Sequence, residues 1–303
     1  LEKIQPFIHC SMNCLNSSAL QPTLNIRGQL FSLEKPCVMG ILTAPPDSFY
    51  EGSRVQTEEQ IARRACQIVE EGGQMIDVGA FSTRPGGAEV TQEEEMSRLR
   101  RALAIVRKEQ PDVIVSVDTF RPDVAKMSVE EFGADIINDV SEGGITGVAF
   151  RPLDEEQAEY PSMFRMAAQL NVPYILMSVQ PTLRQMLISF AKEVQQLRDL
   201  GVKDIILDPG YGFGKTLEQN YDLLNEAEKL QILGLPILVG VSRKSMIYKK
   251  TGGDASTALN GTTILNTLSV LKGARILRVH DVKEACEVCA LTPLPAAETP
   301  VYP

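Results

Sequence analysis

Eight short runs of Val, Ile and Leu alternate with stretches of helical period along the 303 residues, and most of the runs end in polar or charged side chains. These two observations predict an α/β chain closed into a (β/α)8 TIM barrel, with a short N-terminal hairpin beneath it. An open doubly wound sheet is the runner-up, but it would need a Gly-rich first turn of the dinucleotide-binding type, which the sequence lacks.

The elements follow in order. Asn25–Leu33, with Arg27-Gly28 at its middle, reads as a hairpin capping the barrel bottom. Val38–Leu42 is the first barrel strand. Thr57–Gly72 is helical, with Ile61, Ala65, Ile68 and Val69 on one face. Met75–Val78 is the next strand, and Thr91-x-x-Glu94 is a capping box opening a helix that reaches Glu109. Val113–Val117, Asp135–Asn138, Tyr174–Met177, Ile205–Leu207, Ile237–Val241 and Ala274–Val279 supply the remaining strands, each followed by a helical stretch. Gly143–Pro161 is a long polar connection after the fourth strand. The expected division is an extension at 1–23, one barrel domain at 24–292 and a tail at 293–303, with four prolines in Leu291–Pro303.

Composition narrows the function classes. A net charge of −9 and a pI of about 5.0 argue against a nucleic-acid surface, although local Lys and Arg can still line a positive cleft. No apolar run is long enough to span a membrane. Leu1–Thr23 lacks signal-peptide shape, because His9, Asn13 and two cysteines break Ile8–Leu15. The chain opens on Leu1 rather than Met, which leaves room for an earlier start. Cys37 and Cys66 sit in apolar patterns and read as core. Cys286-x-x-Cys289 falls on a helix; with Cys10 and Cys14 it is a conceivable zinc set, against the plainer reading of reduced thiols in a cytoplasmic protein.

The strand ends carry Thr43, Asp77, Asp118, Asn138, Asp208, Arg278 and His280, with Lys244 just after the seventh strand. Asp and Asn are common N-caps, but Lys, Arg and His are not, so capping cannot explain the set. Arg278 and His280, two apart, share a face of the last strand. An inward carboxylate can accept two N–H bonds from an amino-pyrimidinone edge, Asn138 can both donate and accept, and Arg278 and His280 suit a phosphate. Gly210, Gly212 and Gly214 allow close backbone approach.

These residues fall into blocks: Asp77-x6-Arg84-Pro85-Gly86, Ser116-Val117-Asp118-Thr119, Asp135-Ile136-Ile137-Asn138-Asp139-Val140, Asp208-Pro209-Gly210-x-Gly212-Phe213-Gly214-Lys215, Ser242-Arg243-Lys244-Ser245 and Arg278-x-His280-Asp281-Val282. In this order, from about Leu24 to Ala290, they resemble the dihydropteroate synthases. The resemblance implies condensation of 6-hydroxymethyl-7,8-dihydropterin pyrophosphate with p-aminobenzoate, releasing pyrophosphate. It implies that Asp118, Asn138, Asp208 and Lys244 hold the pterin, with Met177 lining the pocket. Arg278, His280 and Mg²⁺ would hold the pyrophosphate, and Ser245 would receive the aminobenzoate carboxylate. Phe49, Pro85 and Phe213 would wall its ring. Asp47 and the Thr83-Arg84 segment would sit on two loops that close over the reaction. Asp47, Asp118, Lys244, Arg278 and His280 would form the catalytic group. A homodimer through the last helices is also implied.

The chain departs from the family pattern at four places. Thr43-Ala44-Pro45 replaces Asn-Val-Thr, so the implied metal ligand is a hydroxyl rather than an amide oxygen. Ala80-Phe81 replaces Gly-Glu, Ser178-Val179 replaces His-Met, and Gly143–Pro161 looks longer than usual. A pterin-binding paralogue with little or no synthase activity is the main alternative. A pterin-dependent methyltransferase would lack the Ser-Thr-Arg-Pro and Ser-Arg-Lys-Ser blocks. The inward polar set argues against a plain interaction protein.

Overall fold

A computed structural model describes residues 22–44, 51–80, 90–144 and 159–293, with the backbone alone for 51–56. All eight expected barrel strands form: β3 (Cys37–Thr43), β4 (Met75–Gly79), β5 (Ile114–Asp118), β6 (Ile136–Asp139), β7 (Tyr174–Met177), β8 (Ile205–Asp208), β9 (Ile237–Val239) and β10 (Ala274–Val279). They close as a parallel barrel, β10 pairing with both β3 and β9. Helices α1 (Glu51–Glu70), α2 (Gln92–Glu109), α3 (Pro122–Phe132), α4 (Ser162–Leu170), α5 (Leu183–Asp199), α6 (Leu217–Asn225), α7 (Ser245–Thr251), α8 (Leu259–Leu271) and α9 (Val282–Leu291) connect or follow the strands. The Thr91 capping box starts α2 where the sequence places it. Strand boundaries move by one or two residues from those expected, and the helix expected at Thr57–Gly72 is α1, which begins earlier. Cys66 is half-buried rather than core, accepting from Gln110 Nε2.

The hairpin is β1 (Thr23–Ile26) and β2 (Gln29–Ser32), antiparallel. Its turn residues Arg27 and Gly28 both take positive φ, 52° and 81°, which matches a two-residue turn to the strand twist. Arg27 then reaches the barrel: its Nε and Nη2 bond the Asp135 carboxylate at 2.7 and 2.9 Å, and Nη2 also bonds Val113 O. Leu24, Ile26 and Leu33 seal the barrel bottom against Cys37, Met39, Met75, Ile114, Ile136, Ile175, Ile206, Leu238 and Ile276.

That apolar floor sets the register of the site. Side chains on a strand alternate faces, so the next inward position is two residues further on. Above the floor those positions are Ile41, Asp77, Ser116, Asn138, Met177, Asp208, Gly240 and Arg278. The barrel therefore changes from apolar to polar within one layer, at its C-terminal end, where such barrels carry their chemistry.

Outside the barrel wall, Glu193 of α5 is buried with one oxygen bonded by Ser189 Oγ at 2.6 Å and the other, Oε2, without a partner among the described residues. Burial pushes its pKa up to about 7, the Ser189 bond opposes this, and Glu142 and Asp139 add to it. A native state that binds the proton more tightly than the unfolded chain loses stability as pH rises from about 4.5 to about 7. Glu193→Gln keeps the Ser189 acceptor and removes the charge. It is expected to raise the unfolding free energy at pH 8 by about 1–3 kcal/mol, with little gain at pH 4. Denaturant titrations at the two pH values check this; equal effects at both would show that Glu193 is not charged at a cost in the fold.

Candidate active site

Arg278 lies at the centre of the polar layer. Its Nε donates to Asp77 Oδ2 at 2.6 Å and its Nη2 to Asp118 Oδ2 at 2.8 Å, which leaves Nη1 as the guanidinium nitrogen outside these two bonds. Asp77 is fully buried and also accepts from Ser116 Oγ at 2.6 Å and Asn138 Nδ2 at 3.1 Å. Strand register explains the pairing: Asp77 lies beside Ser116 in the β4–β5 ladder, and Asp118 beside Asn138 in β5–β6. Because Asn138 gives its amide hydrogens to Asp77, its Oδ1 is left as a buried acceptor. Both Asn138 Oδ1 and Asp118 Oδ1 lack a hydrogen-bond partner among the described residues. Buried polar atoms are seldom left so, and both belong to the layer that faces the barrel mouth.

The electrostatics follow from burial. Burial drives the Asp118 pKa up to about 7; Arg278 pulls it down and Asp77 pushes it further up. For Arg278, burial works against the charge, but Asp77 and Asp118 outweigh it and keep the guanidinium ionised. Asp208 is raised by burial, opposed by Lys244 and by the Gly210 N–H that its Oδ1 accepts at 2.7 Å.

Lys244 crosses the mouth from the start of α7. Its Nζ donates to Tyr211 O and sits 4.5 Å from the centre of the Phe213 ring. Burial lowers its pKa to about 8, with Asp208 pulling the other way. Gly212, at φ +82°, clears its path: a Cβ there would stand 3.2 Å from Lys244 Cδ. Met177 is fully buried at the inner end of β7. His280 follows β10, and its Nδ1 is 3.0 Å from Ser242 Oγ, which also accepts from His280 N. Arg243, at φ 54°, turns away from the site to a two-pronged pair with Asp281, while its backbone N–H bonds Thr262. Ser245 is the first residue of α7. Thr43 is exposed at the C-terminal end of β3.

The structure thus brings together Asp118, Asn138, Met177, Asp208, Phe213, Lys244 and Arg278, with Thr43, Ser245 and His280 at strand and helix ends of the same barrel face. Asp47, Phe49, Thr83, Arg84 and Pro85 lie outside the described residues. Two contributors carried no role in the sequence reading: Asp77, visible only as a strand-end acid, and Lys215, visible only inside a glycine-rich block.

A family model described as pterin binding enzyme matches residues 39–280. The dihydropteroate synthase of Clostridium beijerinckii is 37% identical over 268 residues, covering 86% of this chain and 94% of that one. The Escherichia coli K12 dihydropteroate synthase is 35% identical over 276 residues, covering 86% and 92%. Among solved structures, Xanthomonas albilineans dihydropteroate synthase with 4-aminobenzoic acid superposes at a TM-score of 0.78 with 31% identity, over 89% of this chain and 97% of that one. A Clostridium difficile dihydropteroate synthase solved in the presence of pteroic acid gives 0.75 at 30% identity, over 86% and 96%. The chain belongs to the pterin-binding enzymes, within the dihydropteroate synthase family. It is accordingly a transferase.

The Asp77–Arg278–Asp118 arrangement makes a prediction that needs no ligand. In Asp77→Asn, Asp118 loses a like-charged neighbour and Arg278 has one carboxylate left to bind. The Asp118 pKa is therefore expected to fall from about 7 toward the ordinary carboxylate range. Carboxyl-carbon NMR titration of the folded variant reads it; a value still near 7 would mean that Asp77 does not set the Asp118 charge.

Proposed function

We propose that this chain condenses 6-hydroxymethyl-7,8-dihydropterin pyrophosphate with p-aminobenzoate, giving 7,8-dihydropteroate and pyrophosphate. The observation that carries the reading is the pair of unpartnered buried acceptors, Asp118 Oδ1 and Asn138 Oδ1, beside Asp208 and Lys244. An amino-pyrimidinone supplies the N–H groups that such acceptors need, and its ring carbonyl suits the Lys244 ammonium. Relatives solved with 4-aminobenzoic acid and in the presence of pteroic acid support the same substrates here.

In this reading Asp118, Asn138, Asp208 and Lys244 hold the pterin edge, and Met177 packs along it. The third guanidinium nitrogen of Arg278, with His280, meets the pyrophosphate. As the leaving group departs, positive charge develops on the dihydropterin, and the ionised Asp118 stabilises it. The neutral aniline nitrogen then attacks, with no covalent enzyme intermediate. Phe213 walls the aminobenzoate ring and Ser245 meets its carboxylate. Asp47, Phe49, Thr83, Arg84 and Pro85 complete the site from the two segments outside the described residues.

Among the described residues no group of three His, Cys, Asp or Glu side chains could hold a metal ion, and Mg²⁺ needs only one or two protein oxygens beside phosphate and water. Asp77 and Asp118 face Arg278, and Thr43 offers one hydroxyl. Mg²⁺ is better written as part of the substrate, carried by the pyrophosphate, since it commonly rides on phosphate oxygens and water.

Three further readings belong to the same proposal. The 24–292 unit is the catalytic domain, flanked by the 1–23 extension and the 293–303 tail. Ile264, Leu268 and Leu271, three exposed apolar side chains at helical spacing on α8, support pairing with a second copy of the chain. Free Cys37, Cys66, Cys286 and Cys289 suit the cytoplasm, and among the described residues no helix is long and apolar enough to cross a membrane.

The test is pyrophosphate release by the purified chain. Release that depends on p-aminobenzoate supports the synthase; tight pterin binding with no release would favour the inactive paralogue instead. Asp208→Asn turns one acceptor toward a donor, which costs about 1–3 kcal/mol, so calorimetry should show a loss of pterin affinity of about fivefold to 150-fold. Unchanged affinity would remove Asp208 from the pterin edge. Thr43→Asn supplies the carbonyl oxygen that Mg²⁺ prefers, and should lower the Mg²⁺ concentration for half-maximal release about threefold or more. No change would mean that Thr43 does not face the pyrophosphate.

A further inference from the structure

We infer that Lys215 is a positioning residue: it ties the loops after β7 and β8 together and thereby sets the Phe213 wall, the Asp208 carboxylate and the reach of Lys244. The inference rests on the synthase reading above and adds a residue to it.

The geometry is specific. An ammonium has three donors, and Lys215 Nζ places them on three backbone carbonyls: Ser178 O at 2.8 Å, Gly210 O at 3.0 Å and Phe213 O at 3.2 Å. Ser178 belongs to the loop after β7; Gly210 and Phe213 form the arch after β8. The two loops touch directly, since a Cβ on Gly210, at φ +62°, would fall 2.3 Å from Ser178 O. A third loop joins them. Glu142, after β6, is buried and accepts from Val179 N at 2.6 Å, and its carboxylate is also bonded by the Ser178 side chain. Lys215 and Glu142 sit close enough for each to favour the other's charge.

Two of the three bonded carbonyls, those of Gly210 and Phe213, lead to a site group. Gly210 holds Asp208 through its N–H. Phe213 lies under the Lys244 ammonium, and Tyr211, between them in the arch, accepts from Lys244 Nζ. The hydrogen bonds of Lys215 reach the proposed ligands' partners through the backbone, while its charge also favours the ionised Asp208 and opposes that of Lys244. Three carbonyl dipoles turned onto one point would repel one another without a cation, so an uncharged side chain leaves the arch without its tie. Ser178-Val179, where the sequence departs from the family's His-Met, supplies both the carbonyl for Lys215 and the N–H for Glu142.

The experiment compares the parent with Lys215→Met, alone and combined with Phe213→Ala. Hydrogen exchange reads the tie itself, whatever the site binds. Amides at 178–180 and 208–214 are expected to exchange at least about tenfold faster in Lys215→Met. In steady state the KM for p-aminobenzoate should rise at least about fivefold, more than kcat falls. In the Phe213→Ala background the same change should add less than about twofold, because both substitutions remove one wall. Should Lys215→Met fail to fold, Glu142→Gln keeps an acceptor for Val179 and removes the paired charge, and smaller shifts of the same sign are expected. Unchanged exchange would overturn the tie. Faster exchange with an unchanged KM, or effects that simply multiply with Phe213→Ala, would overturn the positioning role and leave Lys215 as a stabilising residue. A parent that releases no pyrophosphate in any condition would overturn the synthase reading, and the positioning role with it. An active parent with an unmoved KM overturns the inference alone.

Discussion

A largely shielded guanidinium held between two carboxylates is the constraint on which this site depends. Arg278 stands one inward position above the apolar floor, where a bare cation would be strongly destabilising. Asp77 and Asp118 offset that cost, and each then imposes a condition of its own. Asp77, fully buried, needs more than one donor, which Ser116 and Asn138 supply. Asp118 gives one oxygen to Arg278 and keeps the other without a partner among the described residues. The orientation of Asn138 follows from Asp77 rather than from any ligand, so the acceptor that faces inward is set before anything binds. A single shielded charge thus propagates through four strands into a fixed pattern of donors and acceptors.

The two lysines solve a related problem differently. Lys215 turns its hydrogens onto carbonyls, and Lys244 donates to one carbonyl and lies over an aromatic face, rather than either closing a short ion pair. Both pKa values are lowered to about 8 by burial, with Asp208 pulling the other way. Had either lysine closed an ion pair with Asp208, that carboxylate would be consumed. Instead, among the described residues, the Asp208 carboxylate takes the Gly210 N–H on one oxygen and remains available to donors from a ligand.

Much of this was legible in the sequence because period-2 alternation is rigid. Once Met75, Ile114, Ile136, Ile206 and Ile276 are placed inward, Asp77, Ser116, Asn138, Asp208 and Arg278 must follow two residues on. The Thr91 capping box and the Arg27-Gly28 turn were legible for a similar reason, since both are local geometry. What could not be read depends on lateral register or on side chains that fold back. Asp77 gains its role from lying opposite Ser116, and neighbouring strands are far apart in sequence. The bonds of Lys215 go to carbonyls, which every residue carries, so no side-chain pattern announces them. Cys66 fits a helical apolar face, yet a neighbouring Gln110 amide reaches its sulfur and leaves it half-buried.

Among the described residues, a run of ties links successive loops from β6 round to β10 at the barrel mouth. Glu142 joins the loops after β6 and β7, Lys215 those after β7 and β8, Lys244 those after β8 and β9, and the Arg243–Asp281 pair those after β9 and β10. Each tie fixes backbone that carries a pocket group, so a ligand arriving there meets donors and acceptors already in place and need not order them. Preorganisation of this kind strengthens binding by removing its entropic cost, not by adding contacts. The same logic places the burden of selectivity on Asp118 and Asn138. Their inward oxygens are held by the fold, cannot turn away to satisfy themselves, and so penalise any ligand that fails to donate to both.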